Sequence, residues 1–146
     1  MKNIRMSARV AVYGFLMKDK NVFLMRRYNT GFADGNFSVP AGHVEADESI
    51  TQAMVRELKE ETGIDVNEND LHLAHVMKRK STESIYIDFF FVISKWDGQP
   101  HNRELDKCDL TEWCLMDELP QNILGYINDA LNSYKEGILF SNVSDS

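Results

Sequence analysis

Six carboxylates fall within one short segment of the chain, Gly42 to Ile64, which reads GHVEADESITQAMVRELKEETGI. Three of them, Glu57, Glu60 and Glu61, are spaced i, i+3 and i+4, so a helix would place them on one face. Like charges at that spacing repel each other, and a position near the C-terminal end of a helix disfavours anions. A divalent cation removes this repulsion, and Mg²⁺ and Mn²⁺ prefer carboxylate oxygens. The cluster indicates either a metal site or an ordinary solvated acidic face.

The same segment contains the signals that begin and end a helix. Ser49, followed three residues later by Gln52, forms a capping box, and Gly63 is a typical C-terminal stop. Apolar residues fall at helical spacing between these signals, at Ile50, Ala53, Met54 and Leu58. The pattern predicts a helix over Ser49 to Thr62, with the acidic residues in its last turns.

The spacing of the fixed residues resembles the Nudix box at every defined position. The matching residues are Gly42, Glu48, Arg56-Glu57-Leu58, Glu60-Glu61 and Gly63-Ile64. A second segment, Trp96-Asp97-Gly98-Gln99-Pro100 followed by Glu104, looks like the W-E-G-x-P-x-x-x-E segment of MutT-type hydrolases. Arg26-Arg27 also matches a pair in that family. The resemblance spans most of Met6 to Tyr134, and it is strongest in the box.

The resemblance implies a Nudix-type α/β/α sandwich with a mixed β-sheet, and an enzyme that cuts diphosphate linkages with Mg²⁺, for which Mn²⁺ can substitute. It implies these metal ligands: Glu57 and Glu61 at the centre, Glu60 and Glu104 beside them, and the carbonyl of Ala41. Either Glu57 or Glu104 would be the general base, and Arg56 would orient the carboxylates through its planar fork. Arg27 would bind phosphate, although a surface charge at a strand end is an equal alternative. Glu48 is either an outer group of the metal site or a loop anchor.

The sequence indicates a substrate class only by excluding other classes whose marker residues are missing. A Pro or a Tyr about fifteen residues past the box marks ADP-ribose or dinucleoside polyphosphate hydrolases in some Nudix groups, but this chain has Arg79, Lys80 and Ser81 there. Nucleoside triphosphates are therefore the leading class, with a nucleoside monophosphate and pyrophosphate as products. Asn122, after Leu119-Pro120, is a candidate for reading an oxidised guanine, although it falls one position early.

Other functions remain open at this point. The chain could hydrolyse a nucleotide sugar or another diphosphate, or it could bind nucleotides as a sensor without hydrolysis. Sensors lose the box carboxylates, which are all present here. Isopentenyl diphosphate isomerases share the fold, but they need a catalytic Cys and a longer chain than this one.

The remaining elements are predicted from apolar patterning. Strands are expected over Ser7–Met17, Val22–Arg26, Phe37–Val39, Leu71–Lys80, Ser84–Trp96 and Glu112–Met116, and a second helix over Gln121–Lys135. Together they predict a mixed sheet with helices on both faces, in one domain over residues 1–146 with its core at about 6–135 and a frayed polar tail at 141–146.

Asp88 is anomalous in an apolar strand and either faces a cleft or pairs with an Arg or Lys. Phe32, Phe37 and Tyr86 are candidate neighbours of a base, whereas Trp96 and Trp113 are expected to pack at strand ends.

The composition limits the kinds of molecule that the protein is expected to bind. The 146 residues carry 16 Lys and Arg against 23 Asp and Glu, a net charge of −7. This charge argues against nucleic acid or an anionic membrane as partner and leaves a small-molecule nucleotide substrate. Cys108 and Cys114 suit neither a disulfide framework nor a zinc site, and two reduced thiols are expected in a cytoplasmic protein. We expect a monomer or a homodimer.

Overall fold

The computed structural model describes residues 3–144; Met1, Lys2, Asp145 and Ser146 lie outside it. Its strands are β1 (Arg9–Lys18), β2 (Asn21–Arg27), β3 (Phe37–Ser38), β4 (Ala41–His43), β5 (His72–Lys80), β6 (Ile85–Ile93), β7 (Cys108–Leu115) and β8 (Phe140–Ser144). Its helices are α1 (Ile50–Thr62), a short 3₁₀ helix (Glu68–Asp70) and α2 (Gly125–Lys135). No helix within residues 3–144 is long and apolar enough to cross a membrane.

The strands form one mixed sheet in the order β3-β2-β1-β6-β5-β8, with β4 paired to β1 and β7 paired to β2. Strands β1 and β6 run parallel at its centre, while β5 lies antiparallel to β6. The mixed sheet agrees with the prediction.

Alternating residues of β1 separate the two apolar cores. Ala11, Tyr13 and Phe15 pack on the side that holds Ile127 and Leu131 of α2. Their neighbours Val12 and Leu16 pack on the other side, with Met54 and Leu58 of α1. A Cβ at Gly14 would come within 3.1 Å of Leu58, so α1 lies directly against this strand. Helices therefore cover both faces of the sheet, as predicted.

The ends of α1 also agree with the sequence signals. The Ser49 hydroxyl accepts from the backbone N–H of Gln52, and the Gln52 side chain accepts from the backbone N–H of Ser49. Gly63 ends the helix at φ 80°, in the left-handed conformation that glycine adopts without steric cost. These local bonds fix where the acidic turns of the helix begin and end.

Two local predictions were wrong, and one strand was not predicted. Residues 140–144 form an edge strand parallel to β5, where a frayed tail was expected, and residues 145–146 lie outside the described part. Helix α2 begins at Gly125 instead of Gln121, because the backbone from Asn122 to Leu124 pairs with Phe37 in an extended bridge. Strand β4 was not predicted, since three residues within a glycine-containing loop show no apolar alternation.

Candidate active site

A cavity of about 790 Å³ opens beside β1, β4 and the end of α1. This volume lies within the range of small-molecule sites in proteins. Its lining includes three of the predicted acidic residues, Glu57, Glu61 and Glu104. The carboxylates selected from the sequence therefore reach a concave surface large enough for a nucleotide.

Glu57 and Glu61 enter the cavity one helical turn apart, where α1 packs on β4. A Cβ at Gly42 would lie only 2.1 Å from the carboxyl carbon of Glu57, so any other residue here would displace the Glu57 carboxylate from this position. The backbone N–H of Ala41 donates to Glu61 over 3.0 Å. Strand β4 thus supports both carboxylates, which explains why a glycine belongs to the sequence pattern.

Arg56 joins four groups around these carboxylates. Its Nε and Nη2 donate to the two oxygens of Glu48, at 3.0 and 2.6 Å. Its Nη1 donates to Glu57 at 2.8 Å and to Glu60 at 3.4 Å, and Nη2 also reaches the carbonyl of His43. The bidentate pair is with Glu48, whose carboxylate also accepts from the backbone N–H of Glu45. Glu48 therefore anchors the loop before α1, and Arg56 links this anchor to Glu57.

Glu104 lines the same cavity and comes from a different part of the chain. The segment before it runs beside the end of α1, where the N–H of His101 donates to the Thr62 carbonyl and the N–H of Arg103 donates to the Glu61 carbonyl. The Asn102 side chain accepts from the Glu104 N–H at 2.9 Å. These backbone bonds bring Glu104 close enough to Glu57 for their charges to interact.

Glu57, Glu61 and Glu104 together form the acidic wall of the cavity. Burial and mutual repulsion disfavour full ionisation of these three carboxyl groups. Burial raises the pKa of Glu61 well above its usual range, and the neighbouring Glu57 raises it further, while the Ala41 N–H opposes the rise. The pKa of Glu104 is also raised, by burial and by Asp106 and Glu57. A bound cation would reverse both trends, because it favours the charged carboxylates.

Within residues 3–144 no three His, Cys, Asp or Glu side chains are gathered tightly enough to form a ready set of metal ligands. Glu57 is turned toward Arg56, and Glu60 is exposed on α1 outside the lining of the cavity. The chemistry of the donor set nevertheless fits a hard cation, since it consists of carboxylate and carbonyl oxygens. Metal binding requires rotation of these side chains, which have several rotatable bonds.

Cationic residues line the cavity near the acidic wall. Arg26, Arg27 and Lys107 are among them, and Arg26 is already paired with Asp109 at 2.8 Å. Arg27 donates to the Phe32 carbonyl at 2.8 Å and to the Thr30 hydroxyl at 3.1 Å, and its guanidinium lies 5.4 Å from the Phe32 ring centroid. Arg27 thus lines the cavity and organises the loop that follows β2.

Of the remaining residues singled out from the sequence, only some line the cavity. The Asn122 side chain donates to the Gly35 carbonyl at 2.8 Å and is not part of the cavity lining. Phe32 and Tyr86 do line the cavity, whereas Phe37 is buried in the core on the α2 side and is not part of the lining. Trp96 and Trp113 stack on each other with ring centroids 6.1 Å apart, as expected of packing residues.

Sequence reasoning missed a second group in the cavity, centred on Arg79. Asp88 is fully buried and accepts from Nε of Arg79 at 2.8 Å, which settles the anomaly of an acid in an apolar strand. Tyr13 and Tyr126 lie beside this pair, and both also line the cavity. The only signal in the sequence was Asp88, which indicated a partner without indicating which one.

Comparison with known proteins finds relatives that match part of this chain. The chain is 47% identical over 55 residues to an ADP-ribose pyrophosphatase from Methanocaldococcus jannaschii, covering 38% of this chain and 32% of that protein. It is 34% identical over 85 residues to the phosphatase NudJ from Escherichia coli O1:K1 / APEC, covering 56% of this chain and 53% of NudJ. The chain thus spans between about a third and about half of the length of these curated relatives.

A solved structure from a study of MutT from Aliivibrio salmonicida and Vibrio cholerae superimposes with a TM-score of 0.69 at 30% identity. The match covers 90% of this chain and 98% of that one. The match extends over nearly the whole fold, including the mixed sheet and its helices. The NUDIX domain profile matches residues 7–133, and the chain belongs to the NUDIX domain family.

Proposed function

We propose that this protein hydrolyses a diphosphate linkage in a nucleoside triphosphate or a related nucleoside diphosphate derivative, in the presence of Mg²⁺ or Mn²⁺. The observation that supports this most is the convergence of Glu57, Glu61 and Glu104 on one wall of a cavity of nucleotide size. These residues come from two separate segments of the chain, and cationic residues line the same cavity. The family membership of the chain supports the same activity.

The proposed metal ligands are Glu57, Glu61, Glu104, Glu60 and the carbonyl of Ala41. When bound, the cation supplies neutralisation and orientation of the diphosphate and promotes ionisation of the attacking water. Glu57 or Glu104 accepts the proton of that water as general base. Arg56 holds the carboxylate of Glu57 in position, through the hydrogen bond described above.

Substrate binding is assigned to groups near the acidic wall. Arg27 and Lys107 bind the non-bridging oxygens of the phosphates, because cationic donors stabilise a highly charged leaving group. For Arg27 this requires exchange of its bonds to Thr30 and Phe32. Asn122 is a proposed contact to the base, and it would first have to release the Gly35 carbonyl.

The similarity to an ADP-ribose pyrophosphatase supports a second candidate substrate, a nucleoside diphosphate sugar. Both candidates present a diphosphate to the same acidic wall, and they differ in the group beyond it. Attack on an internal phosphorus gives a nucleoside monophosphate in either case. The second product is pyrophosphate from a triphosphate and a sugar phosphate from the diphosphate sugar.

A panel of nucleoside triphosphates, an oxidised guanosine triphosphate and ADP-ribose, assayed with Mg²⁺, tests the proposal. We expect a nucleoside monophosphate as product, loss of activity with EDTA, and recovery on addition of excess Mg²⁺ or Mn²⁺. Full activity in a chelated sample would contradict the metal requirement. Release of only nucleoside diphosphate and orthophosphate would show a different cleavage position, and no hydrolysis of any compound would contradict the proposal itself.

A further inference from the structure

The part of the cavity around Arg79 is built differently from the acidic wall. The guanidinium carbon of Arg79 lies 4.3 Å from the ring centroid of Tyr86 and 4.0 Å from that of Tyr126. One planar cation therefore contacts the rings of two tyrosines that both line the cavity. The contacts join strands β5 and β6 to the first turn of α2.

Arg79 is held in the plane that these contacts require. Nε donates to Asp88 at 2.8 Å, and Nη2 donates to the hydroxyl of Tyr13 at 3.2 Å. Arg79 is 6% exposed and Asp88 is fully buried, so neither side chain is free to leave the pair. The ring of Tyr13 also contacts that of Tyr126 edge to face, with centroids 5.9 Å apart, which adds a second link between the sheet and α2.

Charge distinguishes the two parts of the cavity. The positive charge of Arg79 is balanced by Asp88, so the wall formed by Tyr86 and Tyr126 carries no net charge. Tyr13 is buried and stacks on Phe90, so it supports this wall from the core. The other part holds Glu57, Glu61 and Glu104 together with cationic residues. Phosphates and their cation belong with the charged part, whereas an uncharged planar ring packs favourably against aromatic side chains.

The cavity has another exposed aromatic ring, Phe32, but its position is less well fixed. Phe32 is 58% exposed and lies in a loop between Asn29 and Ala33, which have φ values of 53° and 51°. Its ring contact is with Arg27, a residue already assigned to the phosphates. The tyrosines around Arg79 are instead fixed by a sheet and a helix, and a preorganised wall loses less entropy when a ring binds.

We propose that the wall formed by Tyr86 and Tyr126 is the subsite for the nucleobase, and that Arg79 is a positioning residue that holds these two tyrosines in place for it. This inference rests on the proposed function and names where the ring of the substrate binds. Arg79 acts through the tyrosines and does not contact the reacting phosphates.

Arg79→Lys is the first test, because lysine keeps the positive charge beside Asp88 but lacks the planar group that contacts both rings. Tyr86→Leu is a second variant that leaves the Arg79–Asp88 pair intact. Lys78→Arg is the matched control, since Lys78 is the exposed neighbour on β5 and lies outside the cavity lining. Thermal melts of all variants identify any loss of folding, and Tyr86→Leu keeps the test valid if Arg79→Lys does not fold.

The measurement is a comparison of two inhibitors of wild-type and variant enzyme, a nucleoside monophosphate and ribose 5-phosphate, which lacks the base. We expect about tenfold weaker inhibition by the nucleoside monophosphate in Arg79→Lys and Tyr86→Leu, the scale of one base–aromatic contact. We expect inhibition by ribose 5-phosphate to change less than about twofold, because its contacts are with the charged part. The KM of the best nucleotide substrate should rise by a similar factor with little change in kcat.

Three outcomes would overturn the inference. Equal weakening for both inhibitors would show that Arg79 serves the phosphates or the general shape of the cavity. Unchanged inhibition in both variants would place the base elsewhere. A larger effect of Phe32→Leu would assign the base to the loop after β2. Failure of the proposed function itself is distinct, because the wild-type enzyme would then hydrolyse no nucleotide.

Discussion

Arg56 and Arg79 both bind carboxylates, but their surroundings differ. Arg56 has a side chain 27% exposed and bonds three glutamates and one carbonyl, all within thirteen residues of it in the chain. Arg79 has a side chain 7% exposed and bonds one fully buried aspartate, with tyrosines from β1, β6 and α2 around it. The first arrangement is a local network near water, and the second is a tertiary contact inside the protein.

The two arginines are therefore expected to contribute differently to folding stability and to turnover. Solvent near Arg56 screens its ion pairs, so the network adds little to stability and serves mainly to orient Glu57 and Glu48. Asp88 has no access to water, so removal of Arg79 leaves a buried charge without compensation. We therefore expect Arg79 to matter for folding as well as for the shape of the cavity, and Arg56 to matter mainly for turnover.

The largest expected effect is on the folding stability of Arg79→Met. We expect it to lower the free energy of unfolding by about 3–5 kcal/mol, the usual cost of breaking a buried ion pair. Arg56→Met should cost less, about 1 kcal/mol, because solvent reaches the Arg56 side chain. Chemical denaturation of both variants measures the difference. Replacing both partners, Arg79→Met with Asp88→Leu, should recover most of the loss, and equal losses for the two single variants would remove the distinction.

The next effect is on turnover when a carboxylate of the acidic wall becomes an amide. Glu57→Gln and Glu61→Gln keep the size of the side chain, and each should lower kcat by roughly a hundredfold or more, on the scale of a lost general base. The folded state should persist and gain slightly in stability without metal, because the repulsion between the two charges is removed. Steady-state kinetics and thermal melts check the two expectations.

Glu45→Gln is the matched control for that pair. Glu45 is acidic and lies in the same segment, but its side chain is 66% exposed and lies outside the cavity lining. We expect nearly wild-type turnover. Equal activity in all three variants would reject the acidic wall as the catalytic site, and a parallel loss of stability would show that these carboxylates are structural.

A smaller effect on turnover is expected from Gly42→Ala. The added methyl group would meet the carboxylate of Glu57 at 2.1 Å, so the side chain of Glu57 must move. Small displacements of a catalytic group are costly, and we expect kcat to fall by about tenfold or more. Gly125→Ala is the control, because a Cβ there meets nothing within 4 Å. Similar turnover in both variants would contradict the support of Glu57 by β4.

The smallest effect is a pH dependence of stability that comes from the Arg56 network. Hydrogen bonds from Arg56 and from the Glu45 backbone lower the pKa of Glu48 from 4.5 to about 2. A lowered pKa stabilises the fold above pH 4.5, and this contribution disappears as the pH falls toward 2. Wild type should therefore lose more stability than Glu48→Gln between pH 5 and about pH 2. Parallel unfolding curves for the two proteins across this range would contradict the assignment.

Much of this architecture follows from local patterns in the chain. The capping box at Ser49, the apolar spacing through Leu58 and Gly63 determined the position of α1, because these signals act within a few residues. The spacing of Glu57 and Glu61 determined that both lie on one helical face. The segment around Trp96 to Glu104 was recognisable from its pattern alone. The structure places Glu57, Glu61 and Glu104 in the lining of one cavity, and their role there stays a prediction.

Other features were decided only by tertiary structure. Strand β8 forms because β5 offers an unpaired edge, and the polar composition of residues 141–144 contains no sign of that partner. Asn122 to Leu124 are extended because they pair with Phe37, although their pattern is typical of a helix. Arg79 meets Asp88 across adjacent strands, and it meets Tyr126 only after α2 packs on the sheet. A sequence shows which residues need a partner, and only the folded chain determines which residue that partner is.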